Sequence, residues 1–259
     1  MHNSPVFKEV GQGAKRLFVM APVMPVWDEG AFFQPLSAYF CARGYRVVLF
    51  DSLSLIGDEA QTFDAFSARW AQVLAAWGPP DLLAGAALGG ALAQALVQAP
   101  VLAATPALLL LSSPTLATAT LDQRLGGMAD LAEQGAVAQA KQQLDNLVLP
   151  EGRSVPPDAG VEDCSPAALQ RQGMRLTQGF RLLGGLDVRQ SLEDYPGRVL
   201  SVFGERSQLV GAANIQLKDS PQQRALSIPG GGMRPLADNL PRVIGAIEAH
   251  LLEPLECSA

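Results

Sequence analysis

The sequence predicts an α/β fold, a mostly parallel central sheet with helices on both faces. Three observations carry that expectation. Short apolar runs recur along the chain and are continuous rather than alternating, as strands covered on both faces require. Amphipathic stretches of helical period separate these runs, and such alternation implies parallel strands joined by right-handed crossovers. The composition allows a sizeable core: of 259 residues, 48% are hydrophobic and 17% charged, unlike a disordered chain.

Taken in order, residues 6–10 form a short edge strand turned by Gly11-Gln12-Gly13. Residues 16–21 form a better strand, apolar and continuous after Arg16, followed by the loop 22–30. Residues 31–43 place Phe32, Leu36, Tyr39 and Phe40 at helical spacing, and Gly44 ends that helix. The β-branched run 45–50 is the next strand, with 51–54 as its loop. Residues 64–77 put Phe66, Trp70, Val73, Leu74 and Trp77 on one helical side before Gly78-Pro79-Pro80 stops it. Strands follow at 82–84 and 106–111. Between about 115 and 195 no convincing strand occurs, and helices are expected at 121–134, 137–147, 166–183 and 188–192. Ser165-Pro166 has the form of an N-cap followed by proline in the first turn. The sheet resumes at 198–203 and 223–228. A last helix, 236–252, turns Leu240, Val243, Ile247 and Leu251 inward. The expected division is a core of residues 1–114 and 196–259, with 115–195 inserted as a helical cap.

The most informative stretch is Gly85-Ala86-Ala87-Leu88-Gly89-Gly90. An apolar strand precedes it and a strong helix former follows. Strand, sharp turn and helix, with glycines where the two backbones must approach closely, make up the mounting of a nucleophile elbow. The pattern reads G-x-S-x-G where a serine sits at the tip. Here the tip is Ala87, and a methyl group cannot attack a carbonyl.

With the loops Gly204-Glu205-Arg206-Ser207-Gln208-Leu209-Val210 and Ile228-Pro229-Gly230-Gly231-Gly232-Met233-Arg234-Pro235-Leu236, the elbow makes residues 16–252 resemble an α/β-hydrolase. The similarity is to the capped kind that includes esterases, lactonases and C–C bond hydrolases. That resemblance implies a serine, an acid and a histidine that together transfer acyl groups. The serine position falls on Ala87, the acid on Ser207 and the histidine on Met233. Ala87 alone would fit a deliberate serine knock-out; three replaced positions argue against one. The resemblance also implies an oxyanion hole from the Leu88 amide and from the loop after the first core strand, where Val23 and Met24 stand. The expected pocket is lined by Val23, Met24, Trp27, Ala87, Leu88 and Met233, apolar and adaptable through its methionines. Arg171, Arg175, Arg181 and Arg189 are expected on a solvated face of the insertion, with a cleft-facing anion site as the other reading.

Other chemistries have little support. His2 and His250 are the only histidines, and neither matches a motif. Asp51 reads as a loop hydrogen-bond acceptor. Cys41, Cys164 and Cys257 are odd in number and widely spaced, consistent with reduced thiols and a cytoplasmic location, and Cys164 has no base beside it. No metal-ligand spacing and no cofactor motif occur. The net charge of −6 argues against nucleic acid. The first residues lack the regions of a signal peptide, and no apolar run reaches the roughly 18 residues of a membrane span. The leading expectation is a non-hydrolytic protein binding a small apolar or acyl ligand, or a protein partner. The alternatives are a lyase, isomerase or cyclase working without a triad, and an esterase or thioesterase whose triad lies elsewhere.

Overall fold

The computed structural model of the protein describes residues 4–57, 60–156 and 165–252. Among them, seven strands form one sheet: β1 (Phe7–Val10), β2 (Lys15–Met20), β3 (Tyr45–Phe50), β4 (Leu82–Ala86), β5 (Ala107–Leu111), β6 (Arg198–Gly204) and β7 (Gln223–Ile228). Their spatial order is β1-β3-β2-β4-β5-β6-β7. Only β1 runs antiparallel to its neighbour; all other pairings are parallel. The helices are α1 (Gln34–Cys41), α2 (Phe63–Leu74), α3 (Leu88–Leu96), α4 (Ala119–Glu133), α5 (Val137–Leu147), α6 (Pro166–Arg181), α7 (Arg189–Glu193) and α8 (Pro235–Ile247).

Strand period two divides the apolar residues between two cores. Leu17 and Val19 pack on one face with Phe40 of α1 and Val243 and Ile247 of α8. Phe18 and Met20 pack on the other with Trp70 of α2 and Leu92 of α3. The chain steps from β2 outward to β3, then returns to β4 on the other flank of β2. That reversal opens a crevice beyond the carboxyl ends of β2 and β4, the place where open parallel sheets bind ligands.

Two helices differ from the sequence expectation for identifiable reasons. The one expected to reach Trp77 ends as α2 at Leu74. Trp77 instead joins an edge-on cluster with Phe7, Phe18 and Phe50, its ring centroid within 5.8 Å of each. The Arg16 guanidinium holds this turn by donating to the carbonyls of Trp77 and Pro79. The final helix is not continuous over 236–252. Asn239 leaves helical geometry (φ −160°, ψ 73°) just before Pro241, whose ring supplies no amide donor, and a π-turn, Glu248–Leu252, follows α8.

Between β5 and β6 the described residues form helices joined by loops, with an isolated bridge between Leu116 and Asp187. Ser165 caps α6 as expected, its hydroxyl accepting from the Ala168 amide. Arg175 of α6 overturns the expectation of a solvated arginine. Its guanidinium donates to both Asp51 oxygens (2.9 and 2.8 Å) and its Nε to the Met24 carbonyl (3.1 Å). The side chains of Arg175 and Asp51 are only 16% and 4% exposed. One bidentate pair therefore fastens α6 to the end of β3 and to the loop after β2.

Removing one member of a buried pair leaves the other charge uncompensated, at a cost of about 3–5 kcal/mol. Arg175→Met is expected to lower the stability read by urea unfolding by roughly this amount. The double variant Asp51→Asn, Arg175→Met is expected to regain part of it. A loss for Arg175→Met no larger than that of a surface substitution would show that the pair does not fasten α6.

Candidate functional site

The crevice is built on the turn between β4 and α3. Ala87 sits there at φ 46°, ψ −114°, a conformation that costs an L-residue about 1–3 kcal/mol and persists only where the surroundings impose it. Here they do. A Cβ at Gly85 would lie 2.3 Å from the Gly89 carbonyl oxygen, and one at Gly89 would lie 2.1 Å from the Met20 oxygen. A Cβ at Gly90 would collide with the Ser113 hydroxyl, whose oxygen lies 3.3 Å from the Gly85 carbonyl and 3.1 Å from that of Leu111. On either side, the Ala87 amide donates to the Leu111 carbonyl, and the Ala87 carbonyl accepts from Gly90 and Ala91.

Above this turn lies a cavity of about 590 Å³, within the usual range for small-molecule sites. Val23, Met24, Ala87 and Met233 all line it, and Leu144 of α5 and Phe180 of α6 close it from the helical side. Two of the residues expected there lie elsewhere. The Leu88 side chain is fully buried in the core beneath α3. As the first residue of that helix, Leu88 has an amide with no intrahelical acceptor. Trp27 packs with the cluster on the opposite face of the sheet. The chain turns immediately after it, where the Asp28 carboxylate accepts from the Gly30 and Phe32 amides.

Ser207 is not among the cavity-lining residues; its Oγ is buried without a hydrogen-bond partner and its amide donates to Gly204. The neighbouring Gln208 ties the loop to α5 by donating to the Asn146 and Leu149 carbonyls. Met233 is held from both ends. Its amide donates to the Val148 carbonyl (3.0 Å), and its Sδ accepts from the Val210 amide (3.3 Å).

Among the described residues lining the cavity, none carries a hydroxyl, thiol or imidazole. The ionisable ones are Asp28, Lys141, Asp145 and Arg234, and sequence reasoning singled out none of these. The available signals were the i, i+4 spacing of Lys141 and Asp145 and the position of Arg234 next to Met233. His250 lies at the other end of the sheet, its Nε2 3.0 Å from the carbonyls of Val199 and Gln222. Cys41 is a free thiol that burial pushes above its ordinary pKa. His2, Cys164 and Cys257 lie outside the described residues. Arg181 and Arg189 are bound to Glu133 and Asp187 on the surface. The described residues contain no His, Cys, Asp and Glu group of metal-binding size, and no helix long and apolar enough to cross a membrane.

No protein-family model matches the chain, and no curated protein matches it. Solved structures do. MGS-M2, an α/β hydrolase enzyme from a Medee basin deep-sea metagenome library, superposes with a TM-score of 0.77 at 12% identity, covering 98% of this chain and 97% of that one. A bromoperoxidase from Bacillus anthracis gives 0.70 at 15% identity, covering 95% of each chain. The esterase EaEST from Exiguobacterium antarcticum gives 0.68 at 12% identity, covering 96% of each. Identities this low establish architecture rather than activity, and the architecture is that of the α/β-hydrolase fold.

Proposed function

We propose that this protein uses the α/β-hydrolase fold without serine-hydrolase chemistry, and that its cavity binds a small apolar or acyl ligand beneath a helical cap formed by residues 115–195. One observation carries the reading: among the described residues, the cavity wall offers no hydroxyl, thiol or imidazole. A triad needs a hydroxyl or thiol beside an imidazole that is itself oriented by a carboxylate. The tip at Ala87 presents a methyl group instead. Met233, at the position where the resemblance implies a histidine, uses its sulfur to accept a backbone N–H. The remaining lining is dominated by aliphatic and aromatic side chains, with Met24 and Met233 able to adjust to an irregular shape. The Ser112 and Ser113 hydroxyls lie buried beneath the elbow rather than in the cavity. That position weighs against an esterase using a displaced serine.

A fluorophosphonate probe is expected to leave the wild-type chain unlabelled, and a panel of acyl esters, thioesters and lactones is expected to show no turnover. Stoichiometric labelling would overturn the reading. In the triple variant Ala87→Ser, Ser207→Asp, Met233→His, slow labelling is expected, because it restores nucleophile, base and orienter together.

Binding has its own measurement. Octan-1-ol, a neutral apolar probe, is expected to raise the thermal unfolding midpoint progressively with concentration, as any ligand of the folded state does. Leu144→Trp, which narrows the cavity, is expected to abolish that shift. A midpoint that octan-1-ol leaves unmoved would refute an apolar ligand site.

A further inference from the structure

The mouth of the cavity carries charge that an apolar ligand alone does not use. Lys141 of α5 and Arg234 both line it. Among the described residues, neither side chain has a carboxylate within ion-pair distance or a hydrogen-bond partner. Three arginines of the helical segment, by contrast, are paired: Arg175 with Asp51, Arg181 with Glu133 and Arg189 with Asp187. Lys141 and Arg234 belong to elements that touch. The Met233 amide donates to the Val148 carbonyl just past α5, so Arg234 follows directly on the contact with that end of the helix. Lys141 lies about two helical turns, ~10 Å, upstream. Of the two carboxylates lining the cavity, Asp28 is occupied by the Gly30 and Phe32 amides. Asp145 stands one turn from Lys141 without forming an ion pair with it.

Resting on the apolar cavity proposed above, we infer that the ligand is an amphiphile with one terminal negative charge, bound with its apolar body over Ala87 and its anionic head at the mouth between Lys141 and Arg234. The orientation follows from solvation. Arg234 is exposed and Lys141 half-buried, so a head group placed there keeps much of its water while gaining two cations. Turned inward, the same head would face the Ala87 methyl and the Met24 and Met233 side chains, with no side-chain cation beside it. An unpaired charge is costly in such surroundings. Asp145 supplies the limit on charge: its carboxylate at the same mouth repels a second negative charge, favouring a carboxylate over a polyphosphate.

The test compares octanoate with octan-1-ol, on the wild-type chain and on the double variant Lys141→Gln, Arg234→Gln. Octanoate is expected to bind the wild type at least about tenfold more tightly than octan-1-ol, as charge-assisted hydrogen bonds allow. Added salt is expected to erode that advantage. In the double variant the advantage is expected to vanish while octan-1-ol affinity stays put, which also reports that the cavity is intact. Equal wild-type affinities, or an octanoate preference that survives in the double variant, would overturn the anionic head at this mouth and leave the apolar site standing. Failure of both probes to bind would overturn the two proposals together.

Discussion

The architecture around the crevice depends on one steric constraint, the contact of β4 and α3 across three glycines. The Gly89 position lies against the Met20 carbonyl and the Gly85 position against that of Gly89, at distances no Cβ tolerates. Once these backbones touch, Ala87 has little choice of conformation. Its positive φ is therefore a consequence of packing, and it does not require a serine at the tip. The same contact joins β2 to the turn, because Met20 ends β2 and pairs with Gly85 of β4. Loop 21–30, which carries Val23 and Met24 into the cavity, starts from that point. A change in the tip side chain from hydroxyl to methyl leaves every one of these contacts in place.

The second dependency is the joint between the sheet and α6. Gly179 lets α6 approach the Val23 side chain, where a Cβ would stand only 2.9 Å from its nearest methyl. The Arg175 guanidinium then reaches both the Asp51 carboxylate and the Met24 carbonyl. Two parts of the cavity wall, the loop after β2 and the helix bearing Phe180, are thus set relative to each other and to the end of β3. A buried ion pair is poor evidence of net stabilisation, since desolvation offsets much of its attraction. Its value here is geometric, because a planar fork meeting two carboxylate oxygens admits few orientations.

Most of the fold was legible because the central strands are largely continuous apolar runs and the long helices keep a periodic apolar face. Edge strand β1, the turn at the elbow and the Ser165 cap all stand where local residue chemistry places them. The misreadings came where tertiary partners compete with local pattern. Trp77 continues the apolar stripe of α2, yet it gains more from three aromatic rings and from the Arg16 clamp than from another helical turn. Trp27 was expected in the cavity from its place in the loop, but nothing local reveals that the Asp28 turn sends it to the opposite core. Arg175 illustrates the same limit in long range. Its partner is 124 residues away, and helical periodicity alone marks the arginine as surface.

The distribution of charge around the cavity supports the ligand site proposed above. A cavity retained only by inertia has no reason to keep cations at its opening, and a chain with net charge −6 has carboxylates enough to neutralise them. Carboxylates do take up Arg175, Arg181 and Arg189, yet Lys141 and Arg234 line the cavity without an ion pair among the described residues. Inside, the wall holds its polar atoms in internal bonds: Asp28 on two amides, Met233 on one. An apolar interior with satisfied polar groups and an opening with unsatisfied cations is complementary to a molecule whose own polarity is concentrated at one end. On that argument the proposed ligand is selected by where its charge lies.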